Sequence, residues 1–480
     1  MVALQERRQI ARSIADCFRY LSDFSTIEQW DPGVYRAEKT SPGKPMVGTE
    51  FDLILNSAGQ RVPMRYRIEK LSAPQNGVAR IELSGEGERF AAYDVIELRA
   101  ESDSVTAVDY RAELTFTGAM AAVVPLLKPW LDRVGKQAVD GMQTALTLQP
   151  TVRPLSAGQR LAYKTVAPAA RYFTQAGYLR MPHKGLNEYI DGKTVVVTGP
   201  TAGLGLAASC ELARLGAKVV LVGRDIKRLA RAQTQVAEFA GVGIELLPTY
   251  EVDMLDMAAV RQVASRIAEE QDNIDVLVNN AGALFADRQT TEQGYERALA
   301  VDLLAPWIFT EALLPALRQS QASLAGTKFA KQARVINVVS GGMYLQPLVL
   351  NDLGFENEPY DGSKAYARAK RGLMAATEHW AASEPSIHFS AMHPGWAATP
   401  GVEKSLPAFN RKMAKRLRDS RMGADTIVWL ASSQAPLDQD AQLWFDRQVV
   451  PTEVFAKTKA SSEQKSQLLT WLQQEAAKFE

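Results

Sequence analysis

Over the first 150 residues apolar and polar side chains alternate. Thr49–Leu55, Val62–Ile68, Val78–Leu83, Tyr93–Leu98 and Val105–Phe116 each carry the alternation, the period of a strand with one dry and one wet face. Turn-forming residues part them at Ser57-Ala58-Gly59, Pro74-Gln75-Asn76-Gly77 and Ser102-Asp103. The period lengthens twice. A short helical stretch is predicted near Asp16–Trp30, and a long one from about Ala119 to Leu146. The long one has a broad apolar face that includes Val123, Leu127, Trp130, Val134, Val139 and Met142.

From Lys193 the rhythm is different. Short runs that are apolar throughout, at Thr194–Val197, Lys218–Val222, Ile244–Tyr250, Val276–Val278, Arg334–Val339 and Ile387–Met392, are separated by amphipathic helical stretches. That pattern predicts a parallel sheet covered on both faces. Residues 151–188 read as a connector. It carries Pro154, Pro168 and Pro182, and a helical piece over Gln159–Leu179 with Tyr163, Tyr172, Phe173 and Tyr178. Its basic residues are few, so the aromatic stripe suits docking on a neighbouring domain better than lying on a membrane. The expected organisation is therefore residues 1–150, the connector 151–188, an α/β domain over 189–455, and a polar tail over 456–480. The tail is predicted to form a surface helix at Ser462–Phe479.

Composition adds bounds. A 480-residue chain with 46% hydrophobic and 23% charged residues is that of a globular protein with more than one core. A net charge of +1 gives no reason to expect nucleic acid, and membrane contact is expected to be peripheral at most. No apolar run reaches the roughly 18–20 residues needed to span a bilayer. The N-terminus has no signal-peptide pattern. Cys17 and Cys210 stand apart, without a CxxC or Cys/His cluster. They read as buried hydrophobes in a reducing, cytoplasmic compartment, with no metal site.

The chemistry begins where Thr194–Val197 runs into Thr198-Gly199-Pro200-Thr201-Ala202-Gly203-Leu204-Gly205 and then a helix. Glycines let backbone approach a pyrophosphate, and the helix start offers free N–H groups. Thr198, Gly199, Thr201, Ala202, Gly203, Leu204 and Gly205 are the candidate phosphate loop. The second strand ends at Gly223 with Arg224 behind it. No acid stands there to take a ribose 2′-hydroxyl, and a guanidinium suits a 2′-phosphate, which favours NADP over NAD. Asp253, with Met254 beside it, follows the third strand. It is placed to meet the adenine amine, or equally to cap a helix opening at Met254-Leu255-Asp256.

A second set of motifs follows in order: Asn279-Asn280-Ala281-Gly282 after the fourth strand, Ser340 at the end of the fifth, Tyr366-Ala-Arg-Ala-Lys370, and Pro394-Gly395 with Thr399. Tyrosine and lysine four apart share a helix face, and an ammonium there would lower the phenol's pKa toward neutrality. Tyr360 and Lys364 have the same spacing, but Pro359 and the turn signal Asp361-Gly362 argue that they do not share a helix; Tyr366 opens the run Ala367–Ala382. Residues 190–455 resemble the short-chain dehydrogenase/reductase family, and in detail its member-twelve group. The resemblance implies a Rossmann-type doubly wound sheet and a nicotinamide cofactor. Asn280, Ala281, Gly282, Pro394, Gly395 and Thr399 would line that cofactor, Tyr366 and Lys370 would exchange the proton, and Ser340 would hold the substrate oxygen. The family's usual relay asparagine aligns with Asp302. That departure leaves open a carboxylate relay or a damaged one.

Asp16-Cys-Phe-x-Tyr-Leu-Ser-Asp23, Trp30, Val47-Gly-Thr-x-Phe51 and Val108-Asp-Tyr-Arg-Ala112 resemble the polyketide cyclase/START-like family. This implies an α+β helix-grip fold, with a hydrophobic ligand or a filled core between sheet and helix. Together the resemblances imply an NADP(H)-dependent oxidoreductase interconverting a hydrophobic carbonyl and alcohol, possessed of a lipid-like partner and expected to pair as a homodimer. The alternative is a non-catalytic NADP(H)-binding lipid carrier or redox-sensing module.

Overall fold

Two sheets account for the two rhythms. The computed structural model describes residues 2–57, 60–88, 90–117, 120–147, 151–164, 169–181, 187–322 and 333–480. Ala58 and Gly59 of the first predicted turn, Ala119, Pro168 and Pro182 lie outside the described residues. The chain divides into two compact units: one runs through Gln149, the other takes Pro150–Pro182 and Asn187–Glu480.

The first unit holds β1 (Val2–Ile10), β2 (Val34–Lys39), β3 (Glu50–Ser57), β4 (Gln60–Gln75), β5 (Val78–Gly87), β6 (Phe90–Ser102) and β7 (Val105–Phe116). They form one antiparallel sheet in the order β1-β7-β6-β5-β4-β3-β2. Asn76 and Gly77 take positive φ (49° and 75°) in the β4–β5 turn, as the Asn-Gly pair predicts. β1 and β2 are absent from the sequence reading. In β1 the inward positions include Glu6 and Arg8, which hide the alternation. Arg8 pairs with Glu6 (2.9 Å) and with Asp140 (2.8 Å) on the long helix Met120–Thr147, so the inward-facing charges find partners at a partly exposed part of the face.

The predicted short helix is three pieces: Ile14–Ser22, a 3₁₀ turn Phe24–Thr26, and Ile27–Trp30. They pack with the long helix over the inner face of the sheet. Phe24, Trp30, Phe51, Ile68, Leu83, Val139 and Met142 are buried there. The predicted face residues Val123, Leu127 and Trp130 have side chains outside those described. Helix and helix meet closely: a Cβ on Gly141 would lie 2.0 Å from the Trp30 carbonyl oxygen.

The second unit holds β8 (Thr194–Thr198), β9 (Lys218–Gly223), β10 (Thr249–Glu251), β11 (Val276–Asn279), β12 (Arg334–Val338), β13 (His388–Met392), β14 (Gln442–Phe445) and β15 (Gln448–Val450). The order is β10-β9-β8-β11-β12-β13-β14-β15, parallel except for the last pair. Alternate residues of each strand enter two different cores. Val195, Val197, Val219 and Leu221 meet helices Gly203–Arg214, Ile226–Ala240 and Ser420–Ser432. Val196, Val220 and Leu277 meet the face that holds Met257–Glu270 and Gly362–Ser383. This is why the strands read as apolar throughout.

Several expectations need correction. Ile244–Leu246 is a 3₁₀ turn, and only Thr249–Glu251 pairs as a strand. The stretch Arg297–Ser320 is long and apolar enough to cross a bilayer, contrary to the expectation that none is; most of it is buried in this unit's core, which explains its composition. The tail helix Ser462–Ala476 is not merely a surface element, because Leu468 and Leu472 are fully buried. The connector is broken into Ala157–Tyr163, Ala169–Phe173 and Gln175–Tyr178. Cys17 and Cys210 are free and buried, and burial pushes the thiols up to about 11 and about 12.

Candidate active site

The strand order reverses between β8 and β11, so a crevice opens at their carboxyl ends. Thr198 and Asn280 tie that edge together. Thr198 Oγ1 accepts the backbone N–H groups of Asn280 and Ala281, both at 3.0 Å. Asn280 Nδ2 donates to the carbonyls of Thr198 (2.9 Å) and Gly199 (3.2 Å). Both residues therefore shape the loop from behind.

Each glycine of the loop has a steric reason. Gly199 and Gly203 take positive φ, 68° and 57°. A Cβ on Gly205 would fall 2.2 Å from the Gly199 carbonyl oxygen. The helix Gly203–Arg214 starts at Ala202, whose side chain makes no cap. Its first N–H groups thus face the crevice without a side-chain acceptor, a cradle that fits a pyrophosphate. Thr399 closes over it, within 3.2 Å of where a Gly203 Cβ would stand. Thr201 and Leu204 sit on the same loop and helix start, both half-buried.

Arg224 is exposed just past β9, and Asp225 behind it caps the helix Ile226–Ala240. Asp253 is not a helix cap. It accepts Leu255 N–H at 3.0 Å in a local turn, Met254 beside it is buried, and Asp256 caps the helix Met257–Glu270.

Tyr366 and Lys370 share the helix Gly362–Ser383, which begins four residues earlier than its pattern suggested. The Asp361-Gly362 turn signal is in fact its cap: Asp361 accepts the N–H groups of Ser363 and Lys364. Tyr360 stays outside the helix and donates to Glu296 at 2.9 Å, while Lys364 is exposed. The rival pair is not assembled.

Lys370 Nζ lies 3.1 Å from Asp302 Oδ1, and both side chains are buried. Asp302 sits in a π-helical turn, Ala300–Leu304, a local widening and unwinding of the helix that is frequent at functional sites. Burial pushes its carboxyl up to about 7 against the opposing pull of Lys370. Neither carboxylate oxygen meets hydrogen-bond geometry among the described residues. Gly282 makes room for the pair, since a Cβ there would lie 2.5 Å from Asp302 Oδ1 and 3.2 Å from Lys370 Nζ.

Tyr366 is half-buried in the cleft, with Ser340 within interaction range of its hydroxyl. Ser340 Oγ also accepts the Gly342 N–H at 3.2 Å. Burial and the Asp302 charge raise the phenol's pKa, and Ser340 opposes them. This corrects the expectation that the lysine lowers it: Lys370 is 5.7 Å from the ring centroid and spends its charge on Asp302.

The sequence reading missed what holds the Pro394-Gly395 loop. Phe173 of the connector packs edge-on against His393, Trp396 and Phe445 at 5.0, 5.9 and 5.2 Å. Trp396 N–H donates to the Phe173 carbonyl (2.9 Å), and Arg418 Nε donates to it too (3.0 Å). Arg418 also pairs with Asp446 at 2.6 Å. The aromatic stripe was the available signal; its target was not legible. A further missed link is the buried chain in which Asn279 donates to Thr310 and Asn337, and Asn337 to Thr377, tying β11 and β12 to the Tyr366 helix.

Residues 193–408 match the family described as short chain dehydrogenase, and residues 1–147 that described as polyketide cyclase/dehydrase and lipid transport. The chain is 37% identical over 320 residues to human dehydrogenase/reductase SDR family member 12, covering 65% of this chain and 96% of that protein. It is 31% identical to human retinol dehydrogenase 14, covering 55% of this chain and 81% of that protein. Among solved structures, the Pseudomonas aeruginosa RhlG/NADP complex matches 53% of this chain and 94% of its own, at 21% identity and a TM-score of 0.43.

Proposed function

Because the chain belongs to the short-chain dehydrogenase/reductase family, as an enzyme with a polyketide cyclase-like domain ahead of it, we propose that it uses NADP(H) to interconvert a hydrophobic carbonyl and its alcohol. The observation that carries this is the assembly of Tyr366, Lys370, Asp302 and Ser340 beside the uncapped helix start. A bound nicotinamide supplies the hydride chemistry. Gly199, Gly203 and Gly205 with the Ala202–Leu204 N–H groups would hold its pyrophosphate, and Arg224 its 2′-phosphate. Asp253 and Met254 would border the adenine, and Ala281, Pro394, Gly395 and Thr399 the nicotinamide end.

Ser340 Oγ orients the substrate oxygen, and the Tyr366 hydroxyl gives that oxygen a proton as the carbonyl becomes an alcohol. Lys370 and Asp302 hold the next proton behind the phenol. A hydrophobic substrate is supported by the retinol dehydrogenase relative and by the lipid-transport family of the N-terminal unit, which we read as binding an apolar ligand.

The test is NADPH oxidation by the full chain with long-chain and aromatic aldehydes. NADPH should outperform NADH, and Arg224→Ala should narrow the gap. Tyr366→Phe should lower kcat by about 10²–10⁴-fold with NADPH affinity kept. Full activity in that variant overturns the assignment. A carrier without catalysis, the reading Asp302 favours if its relay is dead, predicts binding of NADPH and no turnover with any aldehyde.

A further inference from the structure

Arg418 belongs to none of the sequence motifs, yet it is only 1% exposed. Its Nη1 and Nη2 donate to the Asp446 carboxylate at 2.6 and 2.8 Å. This bidentate pair offsets the cost of burying the charge. The rest of the fork is aimed at connector backbone. Nε donates to the Phe173 carbonyl at 3.0 Å, and Nη2 to the Tyr172 carbonyl at 2.6 Å. A carbonyl target is the same whatever the residue, so no side-chain pattern announces it.

The main chain of Arg418 takes up the loop that follows Pro394. Its N–H donates to the Trp396 carbonyl at 2.8 Å, and its carbonyl accepts the Ala398 N–H at 2.7 Å. Trp396 N–H donates in turn to the Phe173 carbonyl, and Gln175 N–H to the Arg416 carbonyl, both at 2.9 Å. Connector, loop and residues 416–418 are thus laced into one clasp. The chain between, which carries Thr399 over Gly203, is held at both ends. Gly395 shows how close the fit is. Its φ is 72°, and a Cβ there would lie 2.8 Å from the Phe173 carbonyl oxygen and 2.9 Å from Arg418 Nε. The turn is moulded on the connector.

We propose that Arg418 and connector residues 172–175 are a positioning part of the cofactor site, and that seating of the nicotinamide and ordering of the connector are one coupled equilibrium. The proposal rests on the reading above that Pro394, Gly395 and Thr399 border the nicotinamide. The pyrophosphate cradle is built from other parts: β8, the helix Gly203–Arg214 and Asn280. Loosening the clasp therefore weakens the hold on the nicotinamide end and spares the adenosine end. The coupling runs both ways, so a nicotinamide seated against the loop steadies the connector. Residues 150–182 then belong to the oxidoreductase. A chain cut to residues 193–408, the span that matches the family, would carry its motifs without this support.

The experiment uses the full chain and two ligands, NADPH and 2′,5′-ADP, the second having the phosphorylated adenosine end and no nicotinamide. In the unaltered chain, saturating NADPH should slow amide hydrogen exchange over Arg171–Tyr178, and saturating 2′,5′-ADP should leave it as it was. Arg418→Lys keeps a charge for Asp446 and loses the fork. It should raise the Kd for NADPH about ten-fold and hold that for 2′,5′-ADP within about two-fold, a split that general loosening of the unit does not produce. Exchange over Arg171–Tyr178 that ignores NADPH, or slows equally with both ligands, overturns the proposal and needs no variant to fold. In an Arg418→Lys chain that still melts cooperatively, equal effects on the two ligands overturn it as well. If neither ligand binds the unaltered chain, the NADP(H) reading falls along with this one, which separates the two failures.

Discussion

Asp302 and Lys370 meet in a space that excludes water and that exists because residue 282 has no side chain. Three stretches far apart in sequence make this contact. The Tyr-x3-Lys spacing was legible because helical period alone sets it. The direction of the Tyr366 pKa was not, because it depends on which charge neutralises the lysine. An acid whose pKa is raised to about 7 keeps its proton below that pH and loses it above. If the ionised pair is the working form, kcat should rise with pH through about 7. Asp302→Asn should remove that limb from the profile, with NADPH affinity unchanged. A limb that persists near 7 in the variant would assign it to another group.

Helices and strands were legible where one period ran long enough to dominate. β5 to β7 and β8, β9, β11, β12 and β13 were found on that basis, whereas β14 and β15 were not read at all, and β1 was lost because Glu6 and Arg8 occupy inward positions and find Asp140 across the chain. The tail was misjudged because its apolar residues are sparse, yet Leu468 and Leu472 are buried in the second unit's core; the connector's aromatic stripe docks as expected, through Tyr163, Phe173 and Tyr178. The two should differ in consequence. Phe173→Ala removes a ring that bears on the Pro394–Trp396 loop, so it should raise the KM for NADPH as well as lower the Tm. Leu468→Ala opens a hole against the Tyr366 helix at Gly372 and should lower the Tm, at a cost of about 2–5 kcal/mol, without raising the KM for NADPH. Thermal shift and steady-state kinetics on both variants check this; equal effects on KM would mean the connector does not support the loop.

Among the described residues the large cores stand apart, one in the first unit and two on the faces of the second unit's sheet. Each unit buries enough to melt as a cooperative body. Saturating NADPH binds one of them. At a hundred times its Kd it should add about 2.7 kcal/mol to that unit. Calorimetry should then show two transitions, one rising by several degrees with NADPH and the other fixed. Movement of both by the same amount would show that the units unfold together.

The placement of the first strand and of the tail helix has a bearing on how the chain comes off the ribosome. β1 is made first, but its neighbour in the sheet is β7, the last strand of that unit. It must therefore wait, unpaired, while the strands between are translated. The second unit waits longer still, because Leu468 and Leu472 complete a core whose other members were synthesised long before. Both units thus close on contacts distant in sequence, the slow kind. Their exposed edges during synthesis make nascent chains, rather than finished protein, the stage most vulnerable to aggregation and most dependent on chaperones.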